Sequence, residues 1–205
     1  MSPERNLNVA LLLFDDVEEL DFVGPFEVFA VAARPEIAGP DAPFALHVFT
    51  VAQHTGTVRA RGGLRVQPDF DFASCPPVDL LVVPGGMGTR REAYNTDLIR
   101  WIRDTHQNTL LTTSVCTGAF LLGEAGLLHG LEATTHWASV DRLRETFPAT
   151  TVRDDLRLVD TGRVATSAGI SAGIDMAFHI VSRLLGDETA RRTARQMEYS
   201  WSQPT

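Results

Sequence analysis

The sequence predicts an α/β protein, a mainly parallel β-sheet with helices on both faces. Three observations carry that expectation. Short apolar runs of strand length alternate with stretches of helical spacing from end to end. Those runs lack the apolar–polar alternation of a half-exposed sheet, as strands covered on both faces should. No repeat, low-complexity tract or linker divides the 205 residues, so the whole chain, 1–205, is expected to form one domain.

Residues 9–14 form a continuous apolar run suited to a strand. Pro25 fits a first helical position, so a helix is expected over 26–33. A second strand is expected over 46–52. Gly62-Gly63, between 57–61 and 64–67, signals a hairpin. Residues 79–83 make another buried strand, stopped by Pro84-Gly85-Gly86. A helix over 97–105, a strand over 110–115 and an apolar helix over 117–128, ending near Gly130, follow. Thr161-Gly162 centres a second hairpin between 158–160 and 163–166. Ile174, Ala177, Phe178, Val181, Leu184 and Leu185 then share one helical face, and 187–199 reads as a last, more polar helix. In such sheets ligands sit at the carboxyl ends of the strands, near a topological switch.

A chain this long buries roughly 70% of its unfolded surface, so its core needs no disulfide or metal staple. The net charge of −8 argues against nucleic acid or an anionic membrane surface as partner, since both attract Lys/Arg-rich faces. The first apolar run is too short for a signal peptide and is followed by acids, so a cytoplasmic protein is expected. Two cysteines, Cys75 and Cys116, are too few for a disulfide scaffold or a zinc site. No metal-ligand spacing or phosphate loop is present, and no cofactor is called for.

The strongest local signal is Leu111-Thr112-Thr113-Ser114-Val115-Cys116-Thr117-Gly118, a buried strand that runs into a cysteine with a helix starting at once. Unpaired N–H groups and the helix dipole at such a turn favour a thiolate and can hold negative charge developing on a substrate. A buried structural cysteine is the competing reading. Pro84-Gly85-Gly86 ends a different strand, and its glycines let a backbone N–H approach a bound group; it is either part of an oxyanion-type hole or a plain turn. Asp21, before the expected helix, is either a cap or an acid for Cys116. Asp15, Asp16, Glu18 and Glu19 read as solvated loop acids. Cys75, before Pro76-Pro77, has no helix start to activate it. His179 lies off its helix's apolar stripe and reads as structural.

Five strings taken together resemble the ThiJ/PfpI superfamily in order and spacing. They are Asp21-Phe22-Val23-Gly24-Pro25-Phe26-Glu27-Val28, Val83-Pro84-Gly85-Gly86, Ser114-Val115-Cys116-Thr117-Gly118, Ala133-Thr134-Thr135-His136-Trp137 and Gly169-Ile170-Ser171-Ala172-Gly173-Ile174-Asp175. The resemblance implies a flavodoxin-like α/β sandwich, a homodimer, and a reactive Cys116 at a nucleophile elbow with Asp21 hydrogen-bonded to it. Within the superfamily the likeness is to the isocyanide hydratase branch, which carries aspartate at this position and threonine after the cysteine. That branch implies a small-molecule substrate, an isocyanide hydrated to a formamide. Gly85, Gly86 and Thr117 would position the reacting group, and Ile170 and Ser171 would shape the pocket. His136 reads as a supporting residue, hydrogen-bonded to an acid such as Glu27, from its own chain or a partner's. Regulators of the AraC type share some strings but add a helix-turn-helix domain, for which no room is expected here. A glyoxalase- or amidase-like enzyme and a cysteine redox sensor remain as rivals.

Overall fold

Residues 6–39 and 42–201 are described by the structure, a computed structural model. In chain order they form β1 (Asn6–Leu13), α1 (Glu19–Ala32), α2 (Pro35–Ala38), β2 (Ala45–Ala52), β3 (Val58–Arg59), β4 (Arg65–Val66), β5 (Phe70–Asp71), β6 (Leu80–Val83), α3 (Thr89–Glu92) and α4 (Thr96–Asn108). There follow β7 (Leu111–Val115), α5 (Gly118–Glu124), β8 (Glu132–Ala133), a 3₁₀ turn (Trp137–Ser139), α6 (Val140–Thr146), β9 (Thr151–Val152), β10 (Leu158–Asp160), β11 (Val164–Ser167), α7 (Ala172–Leu185) and α8 (Asp187–Gln196).

Seven strands join in the order β10-β11-β7-β6-β1-β2-β5, parallel throughout except for β10 against β11. The long strands thus follow the flavodoxin-like order, with the direction of winding reversing between β1 and β6. Right-handed crossovers on either side of that reversal place α1 on one face and α4 and α5 on the other. α1 packs with α7 and α8, and α4 with α5. Both faces being covered, β1 and β6 are apolar along nearly their whole length. Leu11, Leu12, Leu81 and Val82 are fully buried, each worth roughly 1.5–3 kcal/mol of transfer free energy. Both glycine-centred hairpins form, β3 with β4 and β10 with β11.

Two elements differ from expectation. α1 begins at Glu19 and carries Pro25 inside it. Proline there deletes a single i→i−4 bond, to the Asp21 carbonyl, while Phe22, Val28 and Phe29 are buried along the same helix and hold it together. α5 stops at Glu124, short of residue 128, and the chain turns through Gly126 at φ +80°. The two-residue ladder of β8 with β9, the two-residue β5 and the short helices α3 and α6 were not expected from the sequence, being too short to show a period. Among the described residues no helix is long and apolar enough to cross a membrane.

The register brings Val83 opposite Ser114, Ser167 opposite Val115 and Leu13 opposite Ala52. The carboxyl ends of these strands therefore lie along one edge of the sheet, and the loops leaving them meet there.

Candidate active site

Cys116 occupies the turn between β7 and α5 with φ at +57°. A non-glycine residue in this region costs on the order of 1–3 kcal/mol and persists only where its surroundings hold it. Here they do. The Cys116 N–H donates to the carbonyls of Ser167 (3.1 Å) and Ala168 (3.2 Å), and its own carbonyl accepts from Thr135 Oγ1 at 2.8 Å. Gly118 lets α5 start hard against the end of β6, since a Cβ there would overlap the Val83 carbonyl oxygen.

Asp21 lies in the first turn of α1 and is fully buried. Its carboxylate does not cap its own helix. Oδ2 accepts the Gly85 N–H at 3.0 Å, from the loop after β6. Oδ1 is buried without a hydrogen bond of good geometry, and the Cys116 thiol is close enough that each group perturbs the other. Burial raises the Asp21 pKa to about 7, aided by the nearby Glu18 charge and opposed by the Gly85 N–H and the Cys116 thiol.

Burial, and then the Asp21 charge, push the Cys116 thiol up to about 12, although the Thr117 N–H and hydroxyl and the Ile170 N–H all favour the thiolate. Burial and the Asp21 charge thus oppose the thiolate that the helix start was expected to favour. Desolvation beside a carboxylate outweighs the few donors at the start of a seven-residue helix. At neutral pH the sulfur holds its proton and the carboxyl sits near its midpoint, so the two behave as one coupled pair.

The Pro84-Gly85-Gly86 loop supplies the floor. A Cβ on Gly85 would come within 2.6 Å of the Thr117 nitrogen and 2.8 Å of Asp21 Oδ2. The Gly86 N–H donates to Thr117 Oγ1 at 3.0 Å, and Thr89 Oγ1 donates to the Gly86 carbonyl at 2.8 Å. The N–H groups of Gly85 and Gly86, expected to face a substrate, are thus engaged in holding Asp21 and Thr117. The donors directed at the sulfur are those of Thr117 and Ile170.

A pocket of about 190 Å³ opens above Cys116 and Thr117, walled by Glu18, Arg61, Met87, Arg90, His136 and Ile170. Glu18 and Arg61 pair across it at 3.1 Å. His136 Nδ1 accepts the Ala138 N–H at 3.2 Å, which leaves Nε2 as the protonated nitrogen. Among the described residues His136 makes no hydrogen bond to Glu27, which stands exposed on α1. Ser171 is exposed at the start of α7 and does not line the pocket. A larger cleft of about 290 Å³ lies over Leu13, Ala52, Gln53 and Asn95, but neither Cys116 nor Asp21 reaches it.

Sequence reasoning missed Arg61, Met87 and Arg90, which carry no local signal. Of the loop acids, Asp15 and Asp16 are exposed as expected, yet two of the four also hold backbone of the hairpin. Asp15 Oδ1 accepts the Arg59 N–H at 2.8 Å, and Glu19 accepts the Gly62 N–H, so they fasten the β3–β4 hairpin over the site. Cys75 is half-buried, its thiol raised to about 11 by burial and Asp71, and it donates to the Pro76 carbonyl at 3.4 Å. His179 Nε2 lies 2.8 Å from Asp160, which also pairs with Arg183 at 3.1 Å, a tie between α7 and β10.

Fold and site define an α/β protein whose cleft, at the carboxyl ends of a parallel sheet, sets a cysteine on a strand–helix elbow against a buried acid. The chain belongs to the DJ-1/PfpI family, which it matches over residues 7–183. It is 37% identical to the isonitrile hydratase of Pseudomonas putida over 198 residues, 97% of this chain and 81% of that protein. It is 33% identical to the HTH-type transcriptional regulator CdhR of Pseudomonas aeruginosa over 141 residues, 69% of this chain but 41% of the regulator. The crystal structure of a ThiJ/PfpI family protein from Pseudomonas syringae is similar with a TM-score of 0.84 at 29% identity, over 98% of this chain and 78% of that one. Drosophila melanogaster DJ-1beta shares the fold at a TM-score of 0.81 and 19% identity, over 98% of this chain and all of that one.

Proposed function

We propose that this protein hydrates an isocyanide to the N-substituted formamide. The observation that carries the reading is the buried Asp21–Cys116 pair, a carboxyl and a thiol that perturb each other beneath a small pocket. Hydration of R–N≡C needs a nucleophile and a proton delivered to the same carbon, and then a base for water. One thiol with one carboxyl near its midpoint supplies all three.

As Cys116 Sγ attacks the terminal carbon, its proton passes to Asp21, which delivers it to that carbon. The product is the thioimidate R–N=CH–S–Cys116, and Asp21 returns to carboxylate. Asp21 then takes a proton from water as the hydroxide adds to the same carbon, and passes that proton to the nitrogen. Breaking the C–S bond frees R–NH–CHO, and the hydroxyl proton of the adduct returns to the sulfur. The Thr117 and Ile170 N–H groups stabilise charge on the sulfur as it leaves. Gly85 positions Asp21, and Gly86 positions Thr117. The likeness to isonitrile hydratase across 97% of the chain supports this chemistry. The reading takes the working form to be a cytoplasmic homodimer without a cofactor, whose partner is a small molecule, not a nucleic acid.

The likeness to transcriptional regulators favours a second reading, a non-enzymatic sensor whose cysteine oxidises reversibly. A thiol pushed up to about 12 is poorly suited to it, since oxidation runs through the thiolate. Gas chromatography of the formamide formed from a simple isocyanide, with methylglyoxal turnover measured in parallel, separates these readings. Formamide production that vanishes in Cys116→Ala supports hydration; methylglyoxal turnover alone, or none of either, refutes it.

A further inference from the structure

The charges around the pocket mouth do not balance. Glu18 is matched by Arg61 at 3.1 Å. Arg90, at the opposite wall, lines the same pocket. Among the described residues its side chain makes no ion pair, and its one hydrogen bond is to the Met87 thioether at 3.2 Å, a weak acceptor. Arg142, on α6, lies over the Phe120 ring at 3.9 Å, with its Nε buried and without a hydrogen bond. Burial, and then the Arg90 charge, disfavour its charged form. Arg90 is therefore the cation at this mouth that makes no ion pair among the described residues.

We propose that the substrate is an isocyanide bearing a carboxylate, held at the mouth by the Arg90 guanidinium while the isocyanide carbon reaches Cys116. The proposal rests on the hydratase reading above. A guanidinium presents parallel N–H donors that fit a carboxylate in a fork, which a thioether cannot satisfy. Arg61, 3.1 Å from Glu18, offsets the repulsion that Glu18 would exert on such a substrate.

The test compares kcat/KM for isocyanoacetate with that for its methyl ester, in the wild-type protein, Arg90→Gln and Arg90→Glu, each checked for an unchanged melting temperature. The wild-type protein should favour the acid by about 10- to 100-fold, the worth of a charge-assisted hydrogen bond. Arg90→Gln should lower the acid-to-ester ratio by a similar factor, chiefly through KM for the acid. Arg90→Glu should invert the preference, toward an isocyanide that carries an amine. Equal wild-type turnover of acid and ester, or a ratio unmoved by Arg90→Gln, overturns the carboxylate proposal and leaves hydration standing. No formamide from either compound overturns hydration, and this proposal with it.

Discussion

Asp21 and Gly85 hold each other in place. The carboxylate takes the glycine's N–H at 3.0 Å, and the glycine's missing side chain is what leaves room for that carboxylate. Gly85→Ala should therefore displace Asp21 and Thr117 together. We expect turnover to fall at least 100-fold, with a stability loss of about 1–3 kcal/mol, the usual range for an overpacked core. Steady-state kinetics and urea denaturation measure both, and near-normal turnover in this variant would mean that the placing of Asp21 is irrelevant.

Cys116→Ala should abolish turnover and leave the fold intact, whereas Cys75→Ala should be close to normal. Because Cys116 has φ at +57°, Cys116→Gly should be more stable than Cys116→Ala by on the order of 1 kcal/mol, through relief of the backbone. Appreciable activity in either Cys116 variant sinks the proposed chemistry.

The Asp21 carboxyl has its pKa raised from 3.8 to about 7. The folded protein thus holds a proton that the unfolded chain releases at about pH 4, so this group's contribution to stability is full below that pH and is lost as pH rises toward 7. Asp21→Asn abolishes the effect. Compared with the wild-type protein, the variant should gain stability between pH 5 and pH 8, by a few kcal/mol at most, while its turnover falls by about 10²–10⁴-fold. A constant difference in stability across that range would show that Asp21 is ionised throughout.

The pH profile of kcat/KM reports the same pair from the kinetic side. The working form carries one proton over the two groups, so activity should rise through about pH 7 and then stay level through the neutral to mildly alkaline range. A profile that is flat from pH 5 to pH 9 contradicts the assignment.

Thr117→Val keeps the shape but removes the oxygen that accepts the Gly86 N–H at 3.0 Å, leaving a buried donor without its partner. About 1–3 kcal/mol of stability should be lost, and Thr117→Ser should restore most of it. Thermal melts of the two variants decide this.

Much of the scaffold was legible because its strands are long, apolar and flanked by breakers. Cys116 announced itself as the residue at which a buried strand becomes a helix. The position of Asp21 was harder. Proline's preference for helix starts is a local statistic, and it missed that α1 begins six residues before Pro25 and carries Asp21 on its first turn. What opposes the Cys116 thiolate was hidden for a similar reason, since the helix-start rule takes no account of burial or of a carboxylate from another helix. Glu18, Arg61 and Arg90 come from three separate segments and meet only through tertiary packing, so no spacing along the chain could have joined them.

The glycines of the floor also set the directions in which this protein can change. At Gly85 and Gly118 any added carbon meets backbone of another segment, so substitution there disturbs the frame itself. Met87 and Arg90 are exposed on the rim, and replacing them alters size and charge without moving the Asp21–Cys116 pair. New specificities are therefore reachable by single substitutions at the mouth, while the reacting groups stay where the backbone puts them.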